Sequence, residues 1–331
     1  MVLNIGLIGL GYWGKHYVRI ISNSNNVKLQ CVCDSNENAL KEYSHLNINS
    51  YTDYNNMIKH EKLDGIVIVT IAKTHYDIIL DILKYNIKIF VEKPYTINHK
   101  LSLKLNDLIT SDKSLMVGHT YLFNKKIDYI KRVIDDKNLN IKTINFDWCC
   151  YGPIRNDTTP IFDLAVHPIS ILLYMFPNNN IDSINCIKSD SGNTYFVQFK
   201  CNDIIVQMNI SWSSPGKNRT MTLNTDKIKI VFDDVSNISP VKIYNVDNPN
   251  YESFGPNIIH SDGNIIIPQI EGSEPLTDQF NHWVDTICNN TICISDNIFG
   301  TNVVKLAEDI EKNCLMNGNN CGIHECAYNR R

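Results

Sequence analysis

The sequence predicts an α/β Rossmann domain with a doubly wound parallel sheet, followed by an α+β domain with an open, mainly antiparallel sheet. Three observations predict it. A G-x-G-x-x-G turn, Gly9 to Gly14, stands directly behind the first apolar run. Short β-branched runs then alternate with helical spacing as far as Val117. Beyond that point strands follow one another with turn residues between them. The division expected is a dinucleotide-binding domain over 1–120 and a substrate-binding and oligomerisation domain over 121–331, whose final helices pack back.

The elements justify this in order. Asn4 to Ile8 is a first strand, Trp13 to Ser22 a helix, and Val27 to Cys33 a second strand. A helical stretch starts at Ser35, and Gly65 to Thr70 is a buried β-branched strand. His75 to Tyr85 is amphipathic at helical spacing, Ile87 to Val91 a strand, Asn98 to Thr110 a helix, and Leu115 to Val117 closes the series. The second half opens with a helix over Lys125 to Ile134. Strands follow over Ile141 to Cys150, Ile181 to Lys188, Thr194 to Phe199, Ile204 to Trp212 and Met221 to Phe232. Ser191-Gly192-Asn193 and Asn202-Asp203 mark hairpin turns. A helix over Ile161 to Met175 interrupts the strands. Asn245 to Ile267 reads as an extended loop, and helices near Asp278 to Cys288 and Gly300 to Met316 finish the chain.

Composition narrows the function. A hydrophobic fraction of 43% suits a globular core, and a formal charge of -4 argues against a general affinity for nucleic acid. No apolar run reaches the ~18 residues of a membrane helix, and a strand at the amino terminus leaves no room for a signal segment. A cytosolic protein is expected. Of the eleven cysteines, Cys31 and Cys33 alternate on a strand and Cys149 and Cys150 adjoin. Cys314, Cys321, His324 and Cys326 lack paired C-x-x-C spacing, so the expectation is free thiols and no metal site.

The glycine turn has a definite chemistry. Gly9 permits the tight turn, Gly11 lets a pyrophosphate approach the backbone, and Gly14 allows the helix to pack on the strand. Helix amides then face the phosphates. Asp34, twenty positions past Gly14, would accept bonds from the ribose hydroxyls and repel a 2′-phosphate, so NAD is expected over NADP. Phe90-Val91-Glu92-Lys93-Pro94 leaves a strand at the end that lines the crevice of such sheets. By position alone, Lys93 reads equally as a group stabilising negative charge on a reacting oxygen or as a surface lysine beside a turn proline.

Taken together, the Gly9 to Gly14 turn, Asp34, Thr70 with Thr74-His75, Glu92-Lys93-Pro94 and Asp163-x-x-x-His167 resemble the Gfo/Idh/MocA oxidoreductases. The similarity runs on through Glu274-Pro275-Leu276 and the last helices. Gly11-Tyr12-Trp13-Gly14-Lys15, Met116 to Thr120 and Phe162 to Ser170 are similar to members acting on UDP-N-acetylglucosaminuronic acid. The resemblance implies oxidation of a sugar 3-hydroxyl by NAD, in a homodimer or homotetramer formed through the second-domain sheets. This chain departs from those members in having Val166 and Pro168 around the histidine and Ile71 after Thr70. Those departures bear on the orientation of the histidine and on the nicotinamide-side loop.

The resemblance implies a catalytic set of Lys93, His167 and Asp163. Asp163 and His167, four apart, share a helix face if the helix runs through both; alternatively the helix starts at Pro168, with His167 at its positive end. His167 would take the hydroxyl proton, Lys93 would stabilise the alkoxide, and Asp163 would hold a neighbouring hydroxyl. Arg155 and Asn156 precede that helix where an acidic sugar would bind, and Arg155 equally reads as a solvated loop residue. Tyr12, Trp13, Thr70, His75 and Glu92 complete the expected cofactor contacts, and His119 lies near the crevice. Lys15 and Lys73 read as solvated. Two other functions fit the residues: dehydrogenation of a free sugar or cyclitol, and NAD binding without catalysis.

Overall fold

The computed structural model describes residues 2–109, 115–245 and 264–319. The first sheet contains β1 (Leu3–Ile8), β2 (Val27–Cys33), β3 (Asn49–Tyr51), β4 (Gly65–Ile68), β5 (Lys88–Glu92) and β6 (Leu115–Gly118). It is parallel throughout, in the order β3-β2-β1-β4-β5-β6, so the strand order reverses between β1 and β4. Its helices are α1 (Tyr12–Ser22), α2 (Glu37–Lys41), α3 (Tyr54–His60), α4 (Ala72–Ile82) and α5 (His99–Asn106). β4 is buried on both faces, which is why its sequence is continuously apolar rather than alternating.

The second sheet follows α6 (Lys125–Asp136). Its strands are β7 (Thr143–Tyr151), β8 (Ile181–Lys188), β9 (Thr194–Cys201), β10 (Ile204–Ser211), β11 (Ser213–Asn224), β12 (Ile228–Asp233), β13 (Val241–Asn245) and β14 (Asn264–Ile266). Within this sheet β7 and β10 are the one parallel pair among the described strands, and the others are antiparallel. β9 alternates buried and exposed positions, so one face packs on α7 (Val166–Met175) and α9 (Asn297–Asn319) while the other is open. The open face carries Ile187, Phe196 and Ile205.

α8 (Pro275–Cys288) returns to the first sheet. Trp283 and Phe280 pack with Tyr17 and Phe90, and Trp283 lies so close to Gly65 that a Cβ there would sit 2.6 Å from the indole. Burying two such rings contributes on the order of several kcal/mol. On the opposite face Val304 of α9 joins Ile66, Val91 and Val117.

Four sequence expectations change. Met221 to Phe232 is a hairpin, β11 and β12 turning at Thr225, where the hydroxyl caps the amides of Lys227 and Ile228. β3 and α3 escape a reading by apolar period because β3 is three residues long and mostly exposed. The stretch assigned to a loop ends in β14, which pairs with β13; residues 246–263 lie outside the described residues. Cys314 is not a free thiol: it is disulfide-bonded to Cys186, joining α9 to β8. These two cysteines are 128 positions apart, and no local spacing marks them as partners. Cys321, His324 and Cys326 lie outside the described residues.

Candidate active site

A cleft of about 710 Å³ opens along the carboxyl ends of β1, β2, β4 and β5 and is closed on the far side by the segment Arg155–Asp163. Gly9 has φ +98°, a conformation that only glycine adopts at little cost. A Cβ on Gly14 would lie 2.2 Å from the Gly9 carbonyl oxygen, whereas one on Gly11 would meet nothing within 4 Å. The turn is therefore closed behind and open in front, where phosphates would approach. No side chain caps the first amides of α1, which leaves them available to an anion. Asp34 lies at the end of β2 in the cleft wall. Its Oδ2 accepts from the Leu10 amide at 2.7 Å and its Oδ1 from Asn36 at 2.8 Å. The carboxylate is thus fixed with lone pairs still free for ribose hydroxyls. Thr52 and Tyr54 complete that wall; they belong to the segment that apolar period does not reveal.

Thr70, Glu92 and Lys93 line the cleft, and His75 does not. His75 is fully buried, with Nε2 3.1 Å from the Thr70 carbonyl and Nδ1 2.9 Å from that of Pro94. Burial lowers its pKa, so one nitrogen donates at a time and the ring ties the loop after β4 to the end of β5. Glu92 accepts from the Tyr17 hydroxyl at 2.6 Å and from the Lys93 amide at 3.1 Å. Burial raises the Glu92 pKa, and burial with the adjacent carboxyl raises that of Tyr17, which remains a donor.

The densest polar contacts surround Asp163. Lys93 Nζ donates to its backbone carbonyl at 2.8 Å and approaches Oδ1 at 3.4 Å. Arg155 Nη1 also reaches Oδ1 at 3.4 Å, and Trp212 Nε1 donates to Oδ2 at 3.0 Å. Arg155 spends the rest of its fork on Asp157, with Nε to Oδ1 at 3.1 Å and Nη2 to Oδ2 at 2.7 Å. Trp212 carries no sequence signal beyond ending an apolar strand.

Asp163 lies in a single π-helical segment, Ile161–Ala165, that runs into α7. The helix therefore passes through both Asp163 and His167, and the widened turn just before Pro168 accommodates a residue that has no N–H for the helical ladder. His167 is half-buried and is not among the residues that line the cleft; it lies edge-on to Tyr121 with ring centroids 5.2 Å apart. Its Nδ1 is buried without a partner. Burial first, then the nearby Lys93, Arg219 and His119, hold its pKa well below the ordinary range. His119 is fully buried with both ring nitrogens unpartnered, and burial with Lys93 lowers its pKa to about 3. Both imidazoles are neutral bases.

Tyr12 and Trp13 line the mouth of the cleft and are 74% and 47% exposed. Asn156 is exposed and outside the lining residues, Lys15 pairs with Glu42 at the surface, and Lys73 is exposed. Among the described residues no three His, Cys, Asp or Glu side chains gather as a metal site requires, and no helix is long and apolar enough to cross a membrane.

The glycine turn, the fixed Asp34 and the 3-2-1-4-5-6 strand order agree with comparison to known proteins. Residues 3–119 match the profile of the Gfo/Idh/MocA oxidoreductase family, described as having an NAD-binding Rossmann fold. Over that segment the chain is similar to the Gfo/Idh/MocA oxidoreductases. The inositol 2-dehydrogenase/D-chiro-inositol 3-dehydrogenase of Lactiplantibacillus plantarum is 26% identical over 184 residues, 51% of each chain. The chain thus spans about half the length of that curated relative. In fold alone, the likeness to solved structures covers nearly the whole chain. UDP-N-acetylglucosamine 3-dehydrogenase GnnA from Acidithiobacillus ferrooxidans superposes with a TM-score of 0.80 at 16% identity, covering 95% of this chain and 98% of the other. GenD2 from gentamicin A biosynthesis, solved in complex with NAD, gives 0.78 at 17% identity over 95% and 94%.

Proposed function

We propose that this chain oxidises a secondary hydroxyl on a sugar-type ring. NAD, when bound, supplies the hydride acceptor. The observation that carries the reading is the Lys93 ammonium, held by Asp163 at the carboxyl end of β5 in the wall of the cleft that begins at the glycine turn. In this reading Lys93 hydrogen-bonds the hydroxyl oxygen and stabilises the charge that develops on it. His167, kept neutral by burial, is the proton acceptor, and Asp163 holds an adjacent hydroxyl. Binding without catalysis would need neither the lysine nor a neutral imidazole behind it.

The ring we propose is uncharged, linked to a nucleoside diphosphate and oxidised at its 3-hydroxyl. Lys93 and Arg155, the cations among the described residues that line the cleft, are matched by Asp157 and Asp163, which favours a ring without a uronic carboxylate. The pairing of Arg155 with Asp157 weighs against Arg155 as a carboxylate clamp in this proposal. Exposed Tyr12 and Trp13 at the mouth offer ring faces to a nucleobase, and the likeness to GnnA over nearly the whole chain supports the same substrate class. The sequence match to an inositol dehydrogenase favours a second reading, a free cyclitol. We further propose that subunits meet through the open face of the second sheet, where Ile187, Phe196 and Ile205 are exposed.

The test is NADH formation by the full chain with UDP-N-acetylglucosamine, its uronic acid and myo-inositol, alongside melting with UDP alone. NADH from the first sugar and a higher Tm with UDP are expected. NADH from inositol and no response to UDP would move the assignment to the cyclitol. NAD binding with no NADH from any ring alcohol would end the catalytic reading.

A further inference from the structure

We infer that Trp212 is a positioning residue: its indole N–H fixes the Asp163 carboxylate in the orientation that receives Lys93. The inference rests on the dehydrogenase reading above for its catalytic consequence, though not for the contact itself. Of the four tryptophans, Trp13 lies at the cleft mouth, and Trp148 and Trp283 are buried with their indole nitrogens unpartnered. The fold therefore uses those two as apolar filling. Trp212 is as buried as they are, at 4% exposure, but directs its N–H onto a carboxylate oxygen at 3.0 Å.

The backbone holds that aim. The Trp212 amide donates to the Asn193 carbonyl at 2.9 Å, and its own carbonyl accepts from Gly152 at 3.3 Å, where the loop carrying Arg155 begins. One residue thus anchors the Arg155 loop through its backbone and Asp163 through its side chain. The carboxylate is consequently divided: Oδ2 is occupied by the indole, and Oδ1 faces Lys93 and Arg155. Without the indole, both oxygens are free to turn toward the two cations. Asp163 would then turn its carboxylate to Arg155, and Lys93 would keep the backbone carbonyl of Asp163 but lose the carboxylate contact that completes its orientation in the cleft.

Indole N–H resonances of the full chain test the contact directly. Trp212→Phe should remove one signal, and Asp163→Asn should shift that same signal while Asp157→Asn leaves it in place. Trp212→Tyr replaces the phenylalanine variant if that protein does not fold. A Trp212 signal indifferent to Asp163→Asn overturns the inference. Kinetics test the consequence: with the ring alcohol that yields NADH, Trp212→Phe should lower kcat by roughly tenfold to a hundredfold with the KM for NAD unchanged. The double variant should be no slower than Asp163→Asn alone, and losses that multiply would overturn the positioning role. Absence of NADH from every alcohol would sink the dehydrogenase reading, and the resonance shift would still decide the contact.

Discussion

The ammonium of Lys93 and the carbonyl oxygen of Asp163 meet at 2.8 Å across a separation of 70 residues. One stands at the end of a parallel strand in the first sheet, the other in a widened helical turn packed on the second. Both side chains are largely buried, at 12% and 18% exposure, so screening by solvent is reduced and the geometry is held. A lysine so tethered is in place before any substrate arrives.

Lys93→Met removes the charge and keeps the length of the stem. Turnover should fall by roughly a hundredfold or more, because a donor aimed at developing charge is lost. The variant should still bind NAD in a fluorescence titration. An unchanged rate would transfer charge stabilisation to another group.

Asp34→Ala removes an acceptor that also braces the Leu10 amide. NAD binding should weaken and the preference over NADP should shrink, as read by the ratio of the two dissociation constants. A ratio equal to that of the parent protein would contradict the ribose assignment.

Acid should destabilise the protein early. His119 is held neutral when folded, with its pKa lowered from 6.5 to about 3, and His167 is lowered in the same sense. Between those values the unfolded chain binds protons that the folded chain refuses, so stability is full above pH 6.5 and falls below it. For His119 the loss is roughly one kcal/mol per pH unit within that window, and His167 adds to it in the same sense. Urea midpoints from pH 7.5 to 5 should show the decline, and His119→Phe should flatten it. Equal slopes in the two proteins would place His119 in a different environment.

The bond between Cys186 and Cys314 predicts a mass two hydrogens lower before reduction than after it. Reduction should cost about 2–5 kcal/mol and lower the Tm accordingly. Identical masses would show two thiols.

Much of this was legible in the sequence because it depends on local pattern. The glycine turn, Asp34 at a strand end and the charged pair before Pro94 are each fixed by neighbours in the chain. Trp212 was not legible, because its role arises from a partner 49 positions away on a different element. The engagement of Arg155 with Asp157 was hidden for another reason: two residues in one loop can point together or apart, and sequence does not choose. His167 shows a third limit, since its place on the helix was open until the widened turn settled how Pro168 is accommodated.

The contact of Trp283 with Gly65 carries a consequence for folding order. The side of the nucleotide-binding sheet that it seals belongs, in time of synthesis, to the last part of the chain. A nascent polypeptide can complete the glycine turn early, yet must hold an apolar surface open until α8 is made. Fragments ending before that helix should therefore be recovered as aggregates, and chimeras that exchange the amino-terminal domain must carry α8 with it.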